Sequence, residues 1–170
     1  MVAQELVLRR PDLVRQLVLV ASVAAVSADD GYGRHVAQAL AWLDEGRDMG
    51  WIAAERVPRL IGPGALASGV RLATHCQATV PAPTWRRALL ALAGFDRRAA
   101  LAHIAVPTLL VAGELDPLAP PPVLRAMAAQ ITGAHSERLA HTGHLPQLER
   151  PQAFDRLLLP FLRHARAWRH

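Results

Sequence analysis

The sequence predicts an α/β fold: about three parallel strands with flanking helices, interrupted by a helical insertion. Three observations carry this. Residues 108–112, T-L-L-V-A, form a short run opened by Pro107 and closed by Gly113, the pattern of a strand buried on both faces of a parallel sheet. Residues 14–21, V-R-Q-L-V-L-V-A, repeat that pattern in their L-V-L-V core. The remaining periodicity is helical, so the chain reads strand, insertion, strand, helix, strand, helix.

In chain order, residues 1–10 predict a helix with Ala3, Leu6, Val7 and Arg10 on one face, stopped by Pro11. The strand at 14–21 follows, with Ser22 and Ser27 in the loop after it. Residues 29–98 show helical periodicity in two or three pieces, near 36–45, 51–60 and 85–93, separated by the turn-rich I-G-P-G at 61–64 and V-P-A-P at 80–83. Trp42, Trp51 and Trp85 lie here. Aromatics at helical spacing suit a core, and this one also suits the roof of a pocket. The sheet pattern returns at 104–113, a helix is expected over 122–131, and a weaker strand over 135–140. After the loop H-T-G-H-L-P-Q-L-E-R-P, a last helix starts at Pro151, a favoured first helical position. Phe154, Leu157, Leu158 and Phe161 supply its buried face, Pro160 is expected to kink it, and residues 163–170 read as a frayed terminus.

The chain has 170 residues, enough for one domain with a core, and a formal charge of +5. All 19 basic residues are Arg, scattered as singles and doublets rather than gathered in a stripe. That argues for a solvated surface and against nucleic-acid binding. No apolar run approaches the ~20 residues of a membrane span. The start, M-V-A-Q-E-L, lacks a basic and then apolar leader, so no signal peptide is expected. A single cysteine, Cys76, excludes an internal disulfide and suits a reducing, cytoplasmic compartment.

Two residues stand out as carriers of chemistry. Asp116 lies three residues past Gly113, and His144 follows the third predicted strand in T-G-H-L-P. In an open α/β sheet, chemistry gathers beyond the carboxyl ends of strands. Adjacent parallel strands set their trailing loops side by side, so an Asp beyond one and a His beyond the next can meet, the carboxylate orienting the imidazole. Alone, Asp116 would equally serve as a turn or helix cap, and Glu114 competes with it as the acid. His141, His144 and Glu149 are conceivable metal ligands, but two His three apart without a further cluster is a weak pattern. Cys76 beside His75 reads as a small insertion residue, because sequence neighbours rarely align as nucleophile and base. His35, His103 and His135 read as surface or partly buried residues. No motif calls for a cofactor.

These motifs resemble the α/β-hydrolase superfamily, of the esterase, lactonase and haloperoxidase-like type. V-P-T-L-L-V-A-G-E-L-D-P-L-A-P at 106–120 resembles the family's penultimate strand and acid turn, and H-T-G-H-L-P-Q-L-E-R-P-Q-A-F at 141–154 its histidine loop and last helix. Residues 1–22 resemble the helix and strand that follow the nucleophile, and 95–105 the link from a helical lid back to the sheet. The resemblance implies a partial α/β-hydrolase fold, with 1–28 and 95–170 as core and 29–94 as lid. It implies Asp116 as triad acid, His144 as triad base and a small acyl substrate for the full-length parent.

One departure from the family pattern matters. The nucleophile of such hydrolases sits in a G-x-S-x-G turn, and no such motif occurs in this sequence. The resemblance places the missing serine a few residues upstream of Met1, together with the oxyanion donors. Ser22, Ser27, Ser68 and Ser136 lack the sharp glycine-flanked turn that exposes a nucleophile. The expectation is therefore a truncated hydrolase, inactive alone, or else a non-catalytic half-hydrolase module that binds a protein partner. The apolar L-V-L-V strand, left at a sheet edge, is expected to recruit other chains, including copies of itself.

Overall fold

The computed structural model describes residues 1–164. Most of the expected frayed end, residues 165–170, lies outside them. Three parallel strands form one sheet in the order β1 (Leu17–Val20), β2 (Thr108–Gly113), β3 (His135–Leu139). Leu17 aligns with Thr108, and Leu109 with His135. All six residues of β2 are buried, as its uninterrupted run between Pro107 and Gly113 requires. β1 is shorter than the predicted 14–21 because Pro11–Leu13 turn as a 3₁₀ helix, and it enters the ladder where the Leu17 N–H donates to Pro107 O.

Helices cover both faces of the sheet. On one, Leu17, Leu19, Leu110 and Ala112 pack with Val7 of α1 (Val2–Arg9), with Leu101 and Ile104, and with Leu124 and Met127 of α6 (Pro121–Ala128). On the other, Leu109, Val111 and Leu139 pack with Phe154 of α8 (Pro151–His164), while Leu157, Leu158 and Phe161 flank them. The residues predicted for the buried face of the last helix are therefore the ones it uses. α8 runs on through Pro160, the position at which a kink is expected. That proline lies on the exposed side, where the carbonyl it deprives of a helical donor can meet water.

The buried face of α1 differs from the expected one. Ala3, Leu6 and Arg10 are exposed, and Gln4 is fully buried beside Val7. The Gln4 amide donates to Ser22 Oγ at 3.1 Å and to Val23 O at 3.0 Å. Giving the buried amide NH₂ these two acceptors rotates the helix off the face that apolarity alone would choose.

The segment between β1 and β2 holds α2 (Gly31–Asp44), α3 (Met49–Arg56), α4 (Ala67–Thr79) and α5 (Ala82–Leu92). Asp30 caps α2 through the Gly33 N–H, and Asp48 caps α3 through the Trp51 N–H. Trp42, Met49 and Ile52 form a core here, with Trp42 edge-on to Trp51 at 5.6 Å. The ends of the segment are pinned together: Val26 N–H donates to Phe95 O, and Arg97 N–H to Ala24 O. α4 was not expected from the sequence. Gly69 and Thr74 weaken its local helical signal, and tertiary packing decides instead. At Gly69 a Cβ would sit 1.9 Å from Leu148 O, so glycine lets α4 lie directly on the loop that carries His144.

Candidate active site

All three strands run parallel, so the loops after β2 and β3 leave from the same edge. Two backbone bonds join these loops: Glu114 N–H donates to Leu139 O at 2.9 Å, and Leu115 N–H to Thr142 O at 2.8 Å. The approach is too close for side chains. A Cβ at Gly113 would fall 1.9 Å from Gly143 O, and one at Gly143 2.2 Å from Leu60 O. The two glycines that punctuate the sequence motifs thus set the spacing at which an acid after β2 can reach a histidine after β3.

That acid is Asp116. Its side chain is sealed from solvent, and its carboxylate accepts from the Leu118 N–H at 2.8 Å and the Ala119 N–H at 3.1 Å. His144 Nδ1 lies 2.9 Å from Oδ2 and 3.0 Å from Oδ1. A carboxylate only accepts, so Nδ1 carries the proton and Nε2 is left as the basic nitrogen. Asp116 therefore fills both roles open to it, as a turn cap and as the partner of an imidazole. The histidine ring keeps a 12 % side-chain exposure, enough to face a substrate. Tyr32 of α2 packs edge-on against it, with ring centroids 6.1 Å apart.

Glu114 is not the carboxylate that meets His144. It faces outward and binds Arg138 Nη1 at 2.7 Å and the His141 N–H at 2.8 Å. These contacts hold His141 in a left-handed conformation, φ 52°, and hold the Glu114 carboxyl below the usual range, the His141 N–H being the main cause. Glu149 binds backbone instead. It closes the short helix α7 (Pro146–Glu149), is buried, and accepts three backbone N–H groups: Gly62 at 2.7 Å, Gly143 at 2.8 Å and Leu145 at 2.9 Å. It staples the loop before α4 to the histidine loop, and the His144 N–H is itself tied to Leu60 O at 2.6 Å. Among the described residues, no group of three or more His, Cys, Asp or Glu is arranged to hold a metal ion.

The histidine ring of residue 144 has only Asp116 as a hydrogen-bond partner among the described residues. Ser22 is buried and engaged by Gln4, Ser27 and Ser68 are exposed, and Ser136 lies in β3. His75 and Cys76 are exposed on α4.

Sequence reasoning missed the insertion's contribution to this region. His35 stands one turn after Tyr32 on α2, and its Nε2 accepts from Arg56 Nε at 2.7 Å. Burial, with the Arg56 guanidinium alongside, pushes His35 down to about 4, so it stays neutral. Burial also draws the Arg56 guanidinium down from its usual range and raises the Tyr32 phenol. The i, i+3 spacing of Tyr32 and His35 was visible in the sequence, but nothing there joined it to Arg56.

The chain belongs to the alpha/beta hydrolase family, whose sequence pattern matches residues 1–157. It is 31% identical over 166 residues to a proposed carbamate hydrolase of Pseudomonas savastanoi pv. phaseolicola, covering 95% of this chain and 63% of that protein. It is 26% identical over 170 residues to a pimeloyl-[acyl-carrier protein] methyl ester esterase of Aeromonas salmonicida, covering 95% of this chain and 66% of that one. Its fold superposes with a TM-score of 0.83 on a thermophilic esterase of Thermogutta terrifontis, at 24% identity, over 96% of this chain and 61% of the esterase. The chain thus spans 63% and 66% of the lengths of the two curated relatives. Among the described residues, no helix is long and apolar enough to cross a membrane.

Proposed function

We propose that this chain carries the acid–base arm of a Ser-His-Asp hydrolase acting on a small ester, lactone or related acyl substrate. The observation that carries the reading is the His144–Asp116 pair at 2.9 Å, with the carboxylate sealed and held by two backbone N–H groups. In this reading His144 Nε2 takes the proton of an attacking serine hydroxyl and then returns it to the leaving group. Asp116 fixes the tautomer and stabilises the imidazolium. The serine and its oxyanion donors come from outside these 170 residues, in a G-x-S-x-G turn, and the chain alone is inactive. The helices of 29–94 act as a lid that sets specificity, and a reducing, cytoplasmic setting fits the lone cysteine. Support comes from the family and from the ester and carbamate chemistry in the names of the two curated relatives.

Translating the DNA upstream of the Met1 codon tests this. An in-frame G-x-S-x-G just before Met1 is the expected result. A stop codon with a ribosome-binding site there contradicts it and favours a second reading, a non-catalytic module that binds a protein partner. The observation behind that alternative is β1, an apolar strand with a single neighbour in the sheet.

A further inference from the structure

Among the described residues, Arg56 is a cation without a counter-ion. Arg9, Arg10, Arg47, Arg59, Arg86, Arg97, Arg98 and Arg138 each pair with a carboxylate near the surface. Arg56, largely buried, pairs with none among the described residues. Its Nε donates to the neutral His35, and its Nη1 to Gln77 Oε1 at 3.0 Å. Its guanidinium carbon stands 6.0 Å from the Trp85 ring centroid, and Nη2 has no partner among the described residues. The Nε2 of Gln77 is buried and lacks an acceptor. One donor cluster is therefore built from α2, α3, α4 and α5, and among the described residues it contains no acceptor for its last N–H groups. It adjoins the base: Tyr32, one turn from His35, lies against the His144 ring. A buried charge without a partner is unfavourable, and so is a buried donor left unbonded. Both deficits are met by the same group, a planar anion with two acceptor oxygens, one for Arg56 Nη2 and one for Gln77 Nε2.

We infer that Arg56, with Gln77 Nε2 beside it, receives a carboxylate borne by the acyl substrate away from the bond that is cleaved. This deepens the hydrolase reading and rests on His144 as its base. Arg56 is then the residue that selects acidic acyl substrates over neutral ones.

The test titrates the 170-residue chain with monomethyl glutarate, which carries an ester and a carboxylate, and with its neutral counterpart dimethyl glutarate. The Trp85 indole N–H resonance reports occupancy. The monoester is expected to bind at least tenfold more tightly than the diester. Arg56→Gln should weaken the monoester at least tenfold and leave the diester unchanged, while Arg56→Lys should recover part of the loss. Equal affinity for the two probes overturns the inference, as does saturation by neither, or a monoester affinity untouched by Arg56→Gln. The wild-type comparison needs no variant, so a misfolded Arg56→Gln does not decide the matter. The two readings fail differently. A chain extended upstream that hydrolyses both esters equally refutes the anion site and spares the reaction. An extended chain without hydrolysis that still prefers the monoester refutes the reaction and spares the site.

Discussion

Replacing Glu149 probes how the histidine loop is held. Its carboxylate is buried, with Oε2 accepting from Gly62 and Gly143 and Oε1 from Leu145. A hydrogen bond to a charged group contributes about 1.5–3 kcal/mol, and a neutral one about 0.5–1.5 kcal/mol. In Glu149→Gln the amide oxygen can keep the Gly62 and Gly143 bonds in weakened, neutral form. Its NH₂ then meets the Leu145 N–H donor to donor, and that bond is lost. Relief of the buried charge offsets part of this, leaving a net loss of about 3 kcal/mol. For a domain of this size about 1 kcal/mol moves Tm by about 2–4 °C, so Tm should fall by roughly 6–12 °C. Glu149→Ala orphans all three N–H groups and should cost about 5 kcal/mol, close to the whole stability of a marginal domain. Thermal unfolding measures both, and amide exchange localises the effect, with Gly62, Gly143 and Leu145 speeding up ahead of the β2 amides. A fall below about 2 °C for Glu149→Gln, or exchange that rises uniformly, would refute the staple.

Three further outcomes follow from the same geometry. Gly143→Ala places a Cβ 2.2 Å from Leu60 O and should cost about 1–3 kcal/mol in urea unfolding, whereas an unchanged midpoint would mean the loop gives way freely. The native state holds His35 neutral down to about 4 against an ordinary 6.5, so between those values the unfolded chain binds more protons and stability falls as pH drops from 6.5 to 4. After discounting for its partial exposure, the loss is roughly 1–2 kcal/mol, and His35→Gln should flatten that window; an equal slope in the variant rules His35 out as the source. Alternation along β1, whose Leu17 and Ala21 N–H groups serve β2, turns the Val18 N–H to the open edge. Sedimentation should therefore find self-association that Val18→Pro weakens without unfolding the chain, and a monomeric wild type at high concentration would contradict this.

The sheet was legible because its signals are local. Pro107 and Gly113 bracket β2, and burial on both faces demands the unbroken apolar run that lies between them. The meeting of Asp116 with His144 was legible because parallel strands bring their trailing loops to one edge, which makes two distant positions comparable without coordinates. What escaped is what depends on neighbours remote in sequence. α4 forms although Gly69 weakens it, because that glycine is needed against Leu148. Gln4 is buried because Ser22 and Val23 receive its amide. Glu149, surrounded by Leu148, Arg150 and Pro151, looks like any surface carboxylate until Gly62 arrives from 87 residues away. Arg56 is one of 19 arginines, and no local pattern marks it as the one that meets His35 and Gln77.

The central claim is that Asp116 and His144 form a working acid–base pair whose nucleophile lies outside this chain. Its most direct test is hydrolysis of 4-nitrophenyl butyrate, measured on the 170-residue chain and on the same chain preceded by its in-frame upstream residues. The account predicts no turnover above background for the first. For the second it predicts turnover that His144→Ala abolishes and Asp116→Asn reduces by orders of magnitude. Turnover by the 170-residue chain that disappears on His144→Ala, or by the extended chain that survives it, would contradict the account.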